Sequence, residues 1–121
     1  MASSPMKLVP ERSKENLTVE KGQNYKGTGW EEGSTVEKRG DLLIYNVSIH
    51  NCPSVAAATK LVTIPQGYRP KTRATGTAGT GGEGVINTQI AITNDRTGIM
   101  NLQACSGFVT GTIVCLADNN S

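Results

Sequence analysis

Residues 85–104 alternate, turn and return, and no other stretch restricts the fold so tightly. Ile86, Thr88, Ile90 and Ile92 fall on one face, and Val85, Asn87, Gln89, Ala91 and Thr93 on the other. Successive side chains of an extended chain point to opposite faces, so this alternation marks a strand. Asn94-Asp95-Arg96-Thr97-Gly98 supplies a tight hairpin loop, with Gly98 suited to a left-handed position, and 99–104 is the return strand. The same period runs through Leu42–His50. There Leu43, Tyr45, Val47 and Ile49 share one face, opposite Leu42, Ile44, Asn46, Ser48 and His50.

Shorter segments extend the pattern. Leu17–Val19, Lys60–Ile64 and Thr72–Thr80 read as strands, and Ser34–Lys38 reads as an edge-like strand whose charges discourage stray pairing. Phe108–Leu116 closes the set, with Phe108, Thr110, Thr112, Val114 and Leu116 on one face. Turns are expected at Gly27–Trp30, Asn51–Ser54, Pro65–Gly67 and Ser106-Gly107. Only Val55–Thr59 would accommodate a helical turn. Many short strands with no amphipathic helix predict an antiparallel all-β sandwich or barrel.

The chain has 121 residues, enough for one domain, with 36% hydrophobic and 4% aromatic residues and 14 glycines. Residues 1–15 are polar, hold two prolines and lack periodicity, so they are expected to form a flexible arm, and 16–121 a single domain. Apolar burial at roughly 25 cal/mol per Å2 barely offsets ordering entropy in a scaffold this small, so oligomerisation is expected to complete the core.

Several function classes lose support. The net charge is +2, with seven basic and seven acidic residues in 1–41 and five basic and three acidic residues in 42–121. The cluster Arg69, Lys71 and Arg73 is too small for a nucleic-acid surface and reads as a solvated face. No long apolar run argues for a signal peptide or membrane insertion. Cys52, Cys105 and Cys115 are odd in number and lack metal-ligand spacing, so neither a disulfide framework nor a metal site is expected.

Gly79–Gly84 matches G-x-G-x-x-G, but it leads into a threonine- and isoleucine-rich strand rather than a helix N-terminus, so no dinucleotide cofactor is expected. His50 lies two residues from Cys52, a spacing that shares a face on a regular strand without activating a nucleophile. Asp41, Glu83, Asp95 and Asp118 sit where turn chemistry accounts for them. No catalytic residue, metal or cofactor is therefore assigned. Tyr25, Trp30 and Tyr68 lie in loop-like contexts, where their rings could stack on sugars or pack beneath a loop.

Leu61-Val62-Thr63-Ile64-Pro65-Gln66-Gly67-Tyr68-Arg69-Pro70 resembles a signature of phage tail structural proteins. The glycine- and threonine-rich strand, the isoleucine strand, the Asn-Asp turn and Val109–Val114 follow in the matching order. Together, over about residues 27–118, the chain is similar to C-terminal head domains of tail-fibre and baseplate receptor-binding proteins of phages and prophages of Gram-positive bacteria.

The resemblance implies a jelly-roll-like β-sandwich head, a homotrimer in the virion tail tip or baseplate, assembled in the bacterial cytoplasm beside other virion tail proteins. It implies binding of a host cell-wall saccharide or teichoic acid, with no catalytic residue to carry over. Residue type and expected loop or edge placement nominate Tyr25, Trp30, His50 and Arg96 as ligand contacts. A purely structural baseplate or tail-fibre domain, and a cell-wall saccharide hydrolase, are the alternatives. The chain shows no heptad stalk and no collagen-like repeat, so a trimer would assemble through the head itself or through segments beyond it.

Overall fold

A computed structural model describes residues 12–26, 32–81 and 86–118. The described residues hold ten strands and no helix: β1 (Arg12–Asn16), β2 (Thr18–Val19), β3 (Gln23–Asn24), β4 (Thr35–Arg39), β5 (Leu42–Val55), β6 (Lys60–Thr63), β7 (Thr75–Gly81), β8 (Ile86–Ile92), β9 (Gly98–Asn101) and β10 (Cys105–Leu116). All belong to one antiparallel sheet, ordered β1-β4-β5-β10-β7-β8-β9-β6-β2, with β3 also pairing β5. The expectation of an antiparallel all-β domain is met.

The two ends of that order are neighbours in sequence. β1 lies at one edge and β2 at the other, yet only Leu17 separates them. The sheet must therefore curl until its edges approach, and it is nearly closed into a barrel. Leu17 sits at the corner, buried, with its N–H donating to the Ser34 carbonyl at 3.0 Å.

The inward side chains follow the alternation of the sequence. Leu43, Tyr45, Val47 and Ile49 of β5 meet Ile90 and Ile92 of β8, Ile99 of β9, Leu61 and Val62 of β6, and Val109 and Ile113 of β10 in one buried cluster. Each such aliphatic side chain contributes about 1.5–3 kcal/mol when fully buried. The face of β10 carrying Phe108, Thr110, Thr112, Val114 and Leu116 turns outward, and Val114 and Leu116 are more than half exposed.

Several local expectations need correcting. Asn51–Ser54 does not end the first long strand: β5 continues to Val55, absorbing the irregularity as register slips against β10, with Asn51 at φ 56°. Ser106-Gly107 likewise lies within β10, where Gly107 at φ 81° takes part in the same slips. No helical turn forms over 55–59, where a non-helical turn with Ala58 at φ 65° leads into β6. The return strand of the 86–101 hairpin stops at Asn101. In its loop the left-handed residue is Arg96, at φ 62°, and not Gly98.

The segment Ser34–Lys38 is no edge: β4 is flanked by β1 and β5. Residues 12–15, expected in the flexible arm, belong to β1. Every β1 side chain is exposed, so the strand has no apolar face for its sequence to reveal. The expected turn at 27–30 and residues 82–85, including half of the glycine-rich match, lie outside the described residues.

Candidate functional site

The sequence of β5 leads to an outward surface. His50, which is exposed, and Ser48, which is itself buried, alternate with inward Val47 and Ile49, and residues 23–25 lie alongside them. Gln23 is opposite His50, Asn24 is opposite Ile49, and the Tyr25 N–H donates to the Ser48 carbonyl at 2.9 Å. This close approach requires Gly22. A Cβ there would stand 2.8 Å from the His50 carbonyl oxygen and 2.9 Å from Cys52 Cα, and its φ is +80°.

Tyr25 and His50 are diagonal neighbours on this face, and their rings stack, with centroids 5.1 Å apart and planes inclined at 26°. Polar bonds hold the pair in place. Ser48 Oγ donates to the Tyr25 carbonyl at 3.1 Å, and Ser34 Oγ donates to the Ser48 carbonyl at 3.0 Å. The Ser34 N–H donates to Asn24 Oδ1 at 2.7 Å, so the Asn24 side chain ties β3 to the start of β4. Beside the rings, Asn51 Nδ2 donates to Gln23 Oε1 at 3.2 Å, leaving an exposed amide pair at the rim.

The outward row continues across the sheet. Thr110 of β10 is opposite Ser48, Gly79 of β7 is opposite Thr110, and Asn87 of β8 is opposite Gly79. Here a shallow recess of about 320 Å3 is lined by Thr77, Gly79, Asn87, Thr110 and Thr112 among others. Thr112 Oγ1 donates to Asn46 Oδ1 at 2.9 Å at its border. Thr110 lies two strands from Tyr25, about 10 Å at the usual strand spacing. The surface thus offers a flat aromatic pair, then hydroxyls and an amide over a floor opened by glycine.

Of the four nominated ligand contacts, Tyr25 and His50 come together. Trp30 lies outside the described residues. Arg96 is remote: His50 lies near the Gly81 end of β7, whereas the loop carrying Arg96 joins β8 and β9 at the Thr75 end. There Arg96 Nη1 donates to the Lys71 carbonyl at 2.6 Å. Tyr68 is partly buried against the core, so the packing alternative holds for it.

Sequence reasoning misses the threonine recess. Its signal is the recurrence of threonine at alternate positions, Thr75 and Thr77, then Thr110 and Thr112, which aligns hydroxyls on one face.

His50 and Cys52 do not form a proton-transfer pair. His50 is exposed and Cys52 is buried, because the irregularity at Asn51 breaks the face-sharing that their spacing predicts on a regular strand. Asp95 Oδ1 accepts from the hydroxyls of Thr93 and Thr97, both at 2.7 Å, and from the Thr97 N–H at 3.0 Å. These bonds hold its carboxyl well below the usual range, which suits a turn anchor and not a proton donor. Glu83 lies outside the described residues. Among the described residues, no three His, Cys, Asp or Glu side chains gather where a metal ion could sit. No protein-family model matches the chain, and no curated protein matches its sequence.

Proposed function

We propose that the chain is the receptor-binding head of a phage tail-fibre or baseplate protein. In this reading it binds a host cell-wall saccharide or teichoic acid on the outward face of β3, β5, β10, β7 and β8. One observation carries the proposal: the stacked Tyr25–His50 pair shares its face with the Thr77–Asn87–Thr110–Thr112 recess. A sugar presents a C–H face that rests on a flat ring and hydroxyls that exchange hydrogen bonds with amides and hydroxyls. The recess is shallow and polar, so each contact would be weak.

Multivalency supplies what one site lacks. The head is proposed to be a jelly-roll-like sandwich, formed from opposed halves of the curled sheet, and to assemble as a homotrimer in the virion tail. Simultaneous engagement of linked sites raises avidity by roughly 10^2–10^4. A second copy would also cover the exposed side chains of Leu42, Val114 and Leu116.

The test is binding to a glycan array and to purified host cell walls, with Tyr25→Ala and Thr110→Val as controls. Saccharide binding that weakens at least tenfold in both variants, with an unchanged circular dichroism spectrum, is expected. Absence of binding to every cell wall and glycan would overturn the reading in favour of a structural tail domain, a role the exposed apolar strip also fits. Hydrolysis of the bound saccharide would instead establish an enzyme.

A further inference from the structure

β5 and β10 slip out of register where two of the three cysteines lie. Cys105 is opposite Val55, Gly107 is opposite Cys52, and Val109 is opposite Ile49. Pro53 and Ser54 therefore span against Ser106 alone, and His50 and Asn51 against Phe108 alone. Cys52 and Cys105 consequently stand diagonally across adjacent strands. Both are buried, at 5% and 8% exposure, in the same apolar cluster.

The two thiols are free. Each has a hydrogen-bond neighbour. The Cys52 thiol donates to the Pro53 carbonyl at 3.4 Å, and Asn101 Nδ2 donates to Cys105 Sγ at 3.5 Å.

Access is unequal. Cys105 lines a surface recess of about 410 Å3 together with Ser54, Val55, Ala56, Ala104 and Ser106, whereas Cys52 does not border it. Burial, reinforced by the neighbouring Cys105, pushes the Cys52 thiol up. Cys115 is opposite Leu43, far along β10 from this pair.

We propose that Cys52 and Cys105 form a modification site, a reversible cross-strand disulfide closed by a low-molecular-weight disulfide entering through the recess beside Cys105. The Cys105 thiolate attacks one sulfur of the small disulfide, forming a mixed disulfide and expelling a small thiolate. Cys52 then loses its proton to solvent, and its thiolate attacks the Cys105 sulfur. The Cys52–Cys105 bond forms as the mixed disulfide breaks and a second small thiolate leaves. The protein loses two electrons and two protons, which end on the two small thiols released.

The bond would tie β5 to β10 at their irregular end and enclose β6 to β9 in a covalent loop. Such a lock stays open where small thiols are abundant and closes where they are scarce.

Incubating the folded protein with oxidised and reduced glutathione in graded ratios tests this. Remaining thiols are alkylated after unfolding and counted by intact mass. As the oxidised form rises, two of the three thiols are expected to disappear together, with Cys115 still alkylated. A digest should join the Cys52 and Cys105 peptides, the urea midpoint should shift upward, and excess reduced glutathione should reverse both changes. Cys115→Ser is expected to behave as the wild type. Cys52→Ser, if it folds, should stop at the mixed disulfide on Cys105. Three thiols surviving every ratio, linkage through Cys115, dimers joined between chains, or closure only in urea would each overturn the assignment. The unsubstituted protein alone is enough to distinguish these outcomes.

Discussion

The Tyr45 hydroxyl donates to the main-chain carbonyl of Tyr68 at 2.5 Å, joining the first part of β5 to the Pro65–Pro70 segment. Tyr45 is fully buried, and its oxygen reaches from the core toward the stretch that resembles the phage signature. The turn itself is local: Tyr68 N–H donates to the Pro65 carbonyl at 3.2 Å, across Gly67 at φ 93°. Tyr45→Phe removes the donor and leaves the carbonyl under-satisfied, at a cost of about 1–3 kcal/mol. Urea unfolding should show that loss, and an unchanged midpoint would refute the role. Burial also holds the Tyr45 phenol far above its ordinary value. Its neutral form is favoured by folding, so this contribution is intact below about pH 10 and lost as pH rises further.

Gly98 is required for space rather than for its backbone angle. A Cβ at this position would lie 2.5 Å from the Val62 carbonyl oxygen and would also collide with Lys60 Cε. The lysine end can move, but the carbonyl belongs to the β6–β9 pairing, where Thr63 is opposite Gly98 and Val62 is opposite Ile99. Gly98→Ala should therefore destabilise the domain by about 1–3 kcal/mol. Arg96 carries the left-handed angle, so Arg96→Gly should relieve about 1 kcal/mol of strain, offset in part by its lost bond to Lys71. Thermal melting of the two variants should move in different directions or by clearly unequal amounts. An Arg96→Gly loss as large as that of Gly98→Ala would show that the bond to Lys71 outweighs the strain at Arg96.

The period-two stretches are legible because their inward residues are large and aliphatic. Leu43, Tyr45, Val47 and Ile49 all face the core, as their spacing predicts. β1 is not legible, since Arg12–Asn16 buries nothing and pairs with β4 through its backbone. The slips at Asn51 and Gly107 look like strand ends in the sequence, because proline, glycine and asparagine mark bulges and turns alike. At the candidate site, residue type alone suggests Tyr25 and His50. Their stacking depends on β3 lying along β5, a pairing between residues far apart in sequence. Such long-range registers leave no periodic trace.

Asp95 shapes the 94–98 loop through three short bonds to Thr93 and Thr97. Hydrogen bonds from those residues, the Thr93 hydroxyl first, lower its pKa. A depressed folded-state value means that its stabilisation is present above the unfolded value of about 3.9 and lost as pH falls through the folded value. Asp95→Ala should lower the urea midpoint at neutral pH. The gap between variant and parent should stay constant above about pH 5 and narrow in stronger acid. A gap that widened on acidification would contradict the assignment.

The proposed trimer would use the exposed strip on β5 and β10. Leu42 is opposite Leu116 and Ile44 is opposite Val114, so four apolar side chains occupy adjacent positions of one outward face. Their flank on β4 is charged: Arg39 is opposite Leu42, Glu37 is opposite Ile44, and Glu37 accepts from Arg39 Nε at 2.9 Å. An apolar centre with a paired polar rim is the composition of a protein interface. Introducing lysine at the centre desolvates a charge in any assembly that covers it, but costs an isolated domain little, since these positions face water. Val114→Lys combined with Leu116→Lys should therefore convert a trimer to a monomer in light scattering while preserving the circular dichroism spectrum and the thiol count. Saccharide affinity per site should persist in that monomer, whereas avidity for whole cell walls should fall by roughly the factor that multivalency supplies, 10^2 or more. A variant that still forms a trimer would move the interface elsewhere on the sheet, and a parent chain that is monomeric at high concentration would remove the trimer altogether.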